Sequence, residues 1–180
     1  MQEDIHKKLV ERCIRGERNA QFELYKLYSK AMFNICYRML NNRTDAEDML
    51  QEIFSDAFSR LKSFRFDSTI GAWLKRITVN KCINEINRKK TKLEFVEEIP
   101  EIISREEEEK MGLSVDKVKS AMEVLPNGSR IVFSLYLLEG YDHEEIGQIL
   151  NISESTSKTQ FMRAKQKVKE ILISQGYETR

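Results

Sequence analysis

Apolar residues recur at spacings of three and four along most of the chain, and no stretch alternates strongly between apolar and polar positions. That period predicts helices throughout and an all-α fold. A first helix carries Ile5, Leu9, Val10 and Ile14 and stops near Gly16. Asn19 is placed to cap the next, in which Phe22, Leu24, Tyr25, Leu27, Tyr28, Met32, Ile35, Cys36 and Met39 keep helical spacing until Asn41-Asn42 breaks it. Thr44, with Glu47 three residues on, has the pattern of a capping box and opens a helix to about Leu61. After Phe64-Arg65-Phe66-Asp67 a long helix runs from about Ser68 to Lys90. Downstream, helices are expected over about Val115 to Val124 and about Ser129 to Leu138, with Gly140 placed to end the second.

Residues 143–165 then read as a helix, a three-residue corner and a basic helix, the pattern of a helix-turn-helix. Asp142 and Glu145 form a second capping-box pair, and Gly147 puts no side chain where two helices must approach. Asn151 suits a left-handed corner, and Ser153 can cap the second helix. Ile146, Ile149, Leu150 and Ile152 supply the apolar face. The exposed side of the second helix is expected to carry Thr156, Lys158, Thr159, Gln160, Arg163 and Lys165. A plain helical hairpin with a solvated basic face is the alternative, and the order of cap, small residue, corner and basic helix favours DNA binding.

Composition narrows this picture. In 180 residues there are only 7 Gly and 2 Pro, so helices meet few breakers. The net charge of +1 hides an asymmetry. Residues 1–95 hold 19 Lys/Arg against 13 Asp/Glu, 96–115 hold 2 against 7, and 116–180 hold 9 of each. The acidic stretch, with Glu106 to Glu109 in a row, reads as a flexible linker over 93–113 between two small helical domains, 1–92 and 114–180. So small a net charge is not that of a non-specific DNA coat, and a DNA reader with it needs a partner to supply affinity. Cys13, Cys36 and Cys82 are scattered and fall in no ligand spacing with His6 or His143, so no metal and no cofactor is expected. An odd, scattered set fits a reducing cytoplasm, with all three as buried small hydrophobes. No apolar run approaches membrane-spanning length and no signal segment is visible, so a soluble cytoplasmic protein is expected.

Two helix faces call for an explanation. The helix opened near Thr44 buries Ala46, Leu50, Ile53, Ala57 and Leu61 and lines up Asp45, Asp48, Glu52 and Asp56 opposite, with Gln51 beside them. A solvated acidic face and a docking surface for a basic partner account for this equally well. On the helix from Ser68, Val79, Cys82, Ile83 and Ile86 face the core, while Trp73, Ile77, Asn80, Asn84 and Asn87 form a stripe that turns from apolar to amide. Interior Asn is unfavourable in helices, so three in one stripe invite a reason. Arg76, Lys81, Arg88, Lys89 and Lys90 flank it. Cations, amides and nearby rings (Phe64, Phe66, Trp73) suit a single-stranded nucleic acid, although the rings taken singly read as core.

The runs at 16–28 (GERNAQFELYKLY), 45–54 (DAEDMLQEIF) and 72–84 (AWLKRITVNKCIN) resemble the first module of extracytoplasmic-function sigma factors. The run at 125–133 (LPNGSRIVF), followed by the helix-turn-helix, resembles their second. The resemblance covers nearly the whole chain, and the ordered set of motifs is more specific than any one of them. It implies a protein that is not an enzyme, binds core RNA polymerase and directs it to promoter DNA. Asp48, Gln51 and Glu52 would dock on the β′ coiled coil, and the second module would meet the β flap. Asn80, with Arg76, Lys81, Asn84 and Arg88 around it, would capture an unpaired base of the minus-ten element. The helix after the corner would read the minus-thirty-five element through Lys158, Thr159, Gln160, Met162 and Arg163, with Thr156 on phosphate. An anti-sigma factor is a possible further partner. Asn84 stands where the family commonly has Asp, Asn87 where it has Arg, and Ser157 where it usually buries a Val.

Two rival functions remain from the residues alone. A stand-alone helix-turn-helix regulator would bind DNA tightly without polymerase, and a helical adaptor would show no DNA dependence. An enzyme is the weakest reading, since neither a Gly-rich phosphate loop nor a nucleophile–base set is visible.

Overall fold

Among the described residues there are eight α-helices and one 3-10 turn, and no strand. The computed structural model describes residues 6–89 and 115–175, with side chains of the second span from 117 onward. The chain divides into two units, Met1–Thr91 and Lys92–Arg180. The expected linker at 93–113, Ile5 of the first helix and Lys90 of the fourth lie outside the described residues.

In the first unit α1 (Lys7–Ile14) packs on α2 (Arg18–Leu40), and α2, α3 (Arg43–Arg60) and α4 (Ile70–Arg88) pack on one another. Gly16 takes φ +83, turning the chain so that α2 begins at Arg18 with Glu17 at its N-cap position. Asn19 therefore lies inside the first turn and is not the cap expected for it. Glu17 makes no side-chain cap bond either, because Arg12 (2.8 Å) and Arg15 (3.0 Å) hold its carboxylate. Those same guanidinium bonds keep the Glu17 carboxyl below its usual range.

The adjacent Asn41 and Asn42 divide two tasks. Asn41 is left-handed (φ 52°, ψ 31°) and ends α2. Asn42 is extended, and its side chain accepts from the Asp45 amide at 3.0 Å, so it caps α3. Thr44 is consequently an exposed helical residue rather than a cap, correcting the capping box expected at Thr44–Glu47. At α4 the cap is Thr69, which accepts from Ala72 N at 3.2 Å, one residue after the expected start.

The first core gathers Val10 and Cys13, Leu24, Ile35, Cys36 and Met39, Ile53 and Phe54, and Ile70, Leu74, Val79, Cys82 and Ile86. All three cysteines are free and buried. Cys82 of α4 lies in hydrogen-bonding contact with Cys36 of α2, and that contact together with burial pushes its thiol far above the ordinary range. Thr78, fully buried, donates to Leu74 O at 2.9 Å, which removes the cost of an unmatched hydroxyl.

In the second unit α8 (Glu154–Ser174) is the central element, touching α5 (Val115–Glu123), α6 (Asn127–Leu137) and α7 (His143–Leu150). Met122, Leu125, Phe133, Ala164, Val168 and Leu172 are its buried centre, with Val118, Leu138, Phe161 and Ile171 against it. α6 starts at Asn127, two residues earlier than its spacing predicts, with Pro126 at the N-cap position in an extended conformation (ψ 144°). Gly140 takes φ +75 just beyond α6, as expected of a glycine there.

Candidate nucleic-acid interface

The corner between α7 and α8 follows the local chemistry of its residues. Asp142 accepts from Glu145 N at 2.8 Å, and Glu145 Oε2 accepts from Asp142 N at 2.9 Å, so the capping box is complete. Asn151 is left-handed (φ 55°, ψ 48°), and Ser153 accepts from Thr156 N at 3.0 Å to cap α8. A Cβ on Gly147 would lie 2.8 Å from the carbonyl oxygen of Ile152, so the corner closes on backbone. Ile146 is fully buried, while Ile149, Leu150 and Ile152 are partly so.

α8 presents two faces. Ser157, Gln160, Ala164, Val168 and Leu172 point inward, and Ser155, Lys158, Met162 and Lys165 outward, with Thr156, Thr159 and Arg163 half-buried at the margin. Lys158 is paired with Glu154 one turn earlier at 2.6 Å. Thr159 donates its hydroxyl to Ser155 O at 3.0 Å. Gln160 departs from expectation. It is only 2% exposed and accepts from Ser129 Oγ of α6 at 2.7 Å, so it belongs to the interior and is not available on the outer face. Ser157 is fully buried as well, where an apolar residue was expected, and its hydroxyl lies 2.9 Å from Nδ1 of His143.

On α4 the amide row is a surface feature: Asn80, Asn84 and Asn87 are exposed, and Trp73 and Ile77, at its start, are half-buried. Arg76 is exposed beside it. The other described cations beside the row are engaged. Arg88 grips Glu85 with two bonds of 2.8 and 2.9 Å, lowering the Glu85 carboxyl and raising its own pKa. Lys89 reaches Asp45 on α3 at 2.8 Å and is raised by that bond. Lys81 is half-buried, 3.9 Å from Asp56, and so leans towards α3 rather than over the amide row.

These pairs sort the acidic face of α3. Its ends are neutralised, Asp45 by Lys89 and Asp56 by Arg60 at 2.9 Å. Its centre, Asp48, Gln51 and Glu52, is exposed, and neither acid is in an ion pair among the described residues. No group of His, Cys, Asp or Glu that could hold a metal ion occurs among the described residues.

Family models carry these units further. Sigma-70 region 2 matches residues 24–92, and sigma-70 region 4 matches 115–168. The extracytoplasmic-function RNA polymerase sigma factor SigW of Bacillus subtilis is 28% identical over 179 residues, spanning 92% of this chain and 96% of that protein. The sigma-E factor of Escherichia coli is 28% identical over 173 residues, 89% of this chain and 90% of the relative. The chain is an extracytoplasmic-function sigma factor. Two solved structures share the fold of this sigma factor. CnrH in complex with the cytosolic domain of CnrY has a TM-score of 0.56 at 22% identity, covering 95% of this chain and 99% of that one. RpoE in complex with the anti-sigma factor NepR from Bartonella quintana gives 0.55 at 20%, covering 83% and 94%.

Three features of this sigma factor escaped the sequence. Phe66 has φ +59, a rare backbone for a bulky residue, held by its ring against Phe64 (4.8 Å between centroids) and by Lys7 5.8 Å above it. Phe64 in turn packs on Trp73 at 5.3 Å, so the three rings expected near the amide row do form one cluster, with Phe64 as its buried member. Arg130 is buried and donates to Leu125 O and to Asn127 Oδ1 (3.2 and 2.8 Å), tying the Leu-Pro-Asn turn to α6. The third is the His143–Ser157 pair. The His143–Ser157 pair has no signal in spacing, since its partners lie 14 residues apart and are brought together by packing.

Proposed function

We propose that this sigma factor divides promoter recognition between its units, 1–92 and 114–180, while the acidic segment 93–113 links them. It binds core RNA polymerase and directs promoter-specific initiation. The centre of α3, Asp48, Gln51 and Glu52, docks a cationic surface, for which the β′ coiled coil is the candidate. The second unit meets the β flap. Asn80, Asn84, Arg76 and Arg88 receive the unpaired strand of the minus-ten element, with amides matched to base edges and cations to phosphates. Lys158, Thr159, Met162 and Arg163 meet the minus-thirty-five duplex, and Thr156, next to the start of α8, takes phosphate. Gln160 is left out of this set because it is interior.

The observation that carries the reading is the order of two sigma-70 regions on one chain, each of which presents an outward polar face. In this reading the protein performs no chemistry of its own and acts in the cytoplasm, where the polymerase is. No helix among the described residues is long and apolar enough to cross a membrane. An anti-sigma factor is a further candidate partner. The test is reconstitution. The purified chain, added to bacterial core polymerase with a promoter library from its own genome, should confer start sites absent with core alone. Tight sequence-specific DNA binding without polymerase, and no start sites with it, would favour a stand-alone regulator instead.

A further inference from the structure

We infer that His143 and Ser157 form a polar latch that seats the recognition helix α8, making His143 a positioning residue for minus-thirty-five readout. The inference rests on the reading of α8 as the duplex-facing helix.

Ser157 is fully buried, in the first turns of α8, beside the outward Lys158 and one residue past Thr156. A hydroxyl there without a partner is costly, and the partner at 2.9 Å is Nδ1 of His143, the first residue of α7. The imidazole is itself fixed from α6 and α8. It stacks on Tyr136 at 4.3 Å and 12° and meets the edge of Phe161 at 5.7 Å. Tyr136 and Phe161 close the cluster at 4.5 Å. One ring therefore joins α6, α7 and α8, and its polar bond to α8 goes to the residue beside the outward Lys158. An apolar contact at this point would tolerate small slides of α8. A directional bond fixes its rotation, and with it the azimuth of Lys158, Thr159 and Met162.

The latch has a protonation state. In the neutral tautomer that carries its proton on Nε2, Nδ1 accepts the Ser157 hydroxyl hydrogen. Protonated, Nδ1 becomes a donor, and Ser157 must turn its hydrogen towards Ser153 O, which already accepts the Ser157 amide. The charged groups around the ring are Lys158 on α8, which opposes protonation, and Glu154 and Asp142, which favour it. Burial is the largest influence and, with Lys158, keeps His143 below its ordinary value. The neutral latch is thus the state near neutral pH.

The test uses the full chain bound to core polymerase and a minus-thirty-five duplex selected from a random pool by the native protein. His143→Phe keeps a ring on Tyr136 and removes the acceptor; Ser157→Val removes the hydroxyl. Each should weaken the selected duplex by up to about tenfold, the equivalent of one buried bond lost. The double variant, with an apolar pair, should recover to within about threefold of native. If Ser157→Val does not fold, Ser157→Ala takes its place in the cycle. Native binding should fall severalfold from about pH 7.5 to about pH 5.5, and the double variant should be flat. An additive cycle, or parallel pH profiles, overturns the latch. Arg163→Ala separates the two readings. If α8 reads DNA, this change loses preference for the selected duplex whatever the cycle shows, and if it loses nothing, the underlying assignment of α8 has failed.

Discussion

Gln160 offers a measurement in which helix packing and DNA reading make opposite demands. Gln160→Ala removes the acceptor of the Ser129 hydroxyl, and Ser129 is itself only 7% exposed. An orphaned buried hydroxyl costs about 1–3 kcal/mol. Ser129 is not wholly sealed from solvent, so the lower half of that range applies. The side chain also gives up its buried methylene, at about 0.8 kcal/mol, and leaves a void between α6 and α8. The expected destabilisation is about 2–3 kcal/mol, confined to the second unit. For a unit this small, each kcal/mol moves the midpoint by about 4–8 °C, which makes a fall of about 10–20 °C. Trp73, the one tryptophan of the chain, lies in the first unit, so its fluorescence transition should stay in place while a helix transition followed by circular dichroism moves down. Replacing both partners, Ser129→Ala with Gln160→Leu, should return part of the loss, because the Ser129 hydroxyl is then no longer left without its acceptor. Below the melt, polymerase carrying Gln160→Ala should rank minus-thirty-five duplexes as the native protein does. A variant that melts normally but loses preference at a single base pair would refute this reasoning and restore Gln160 to the reading face.

Asn80→Ala should leave stability within about 0.5 kcal/mol, since the side chain is exposed, yet abolish permanganate-reactive thymines at the minus-ten region while polymerase binding persists. Arg163→Ala should weaken the selected duplex by about 1–3 kcal/mol with the loss concentrated at one position, read by competition with single-base variants. Asn42→Ala should lower the stability of the first unit by about 1 kcal/mol, seen in the Trp73 fluorescence melt, whereas Thr44→Ala should leave it unchanged or slightly raised.

The legible parts of this fold are those whose partners are close in sequence. The capping box at Asp142 and Glu145, the corner at Asn151 and the cap at Ser153 each close within three or four residues, and each forms as its chemistry predicts. The same rule misplaced two caps. Asn19 lost to a turn made by Gly16, and Thr44 lost to Asn42, because the left-handed residues Gly16 and Asn41 set where each helix begins. Partners distant in sequence were invisible. Gln160 looks like a surface amide until Ser129 arrives from α6, and Asp45 looks like part of a bare acidic face until Lys89 folds back from α4. The amide row was legible because three Asn at helical spacing have no ready use in a core, whereas the acidic face stayed ambiguous because part of it is paired and part is not.

That partial pairing bears on how a chain of net charge +1 can work on DNA. Of the cations near the amide row, Arg88, Lys89 and Lys81 already lie against Glu85, Asp45 and Asp56. A phosphate arriving at any of them replaces a carboxylate instead of meeting an open charge, so the free chain gains little of the counterion-driven affinity that sustains non-specific DNA binding. Exposed pairs of this kind hold weakly, and the exchange is not prohibitive once DNA is held alongside by another protein. The arrangement therefore penalises DNA binding by the chain alone more than DNA binding on the polymerase. On the proposed reading the amides, which have no charge to neutralise, keep their preference in both settings.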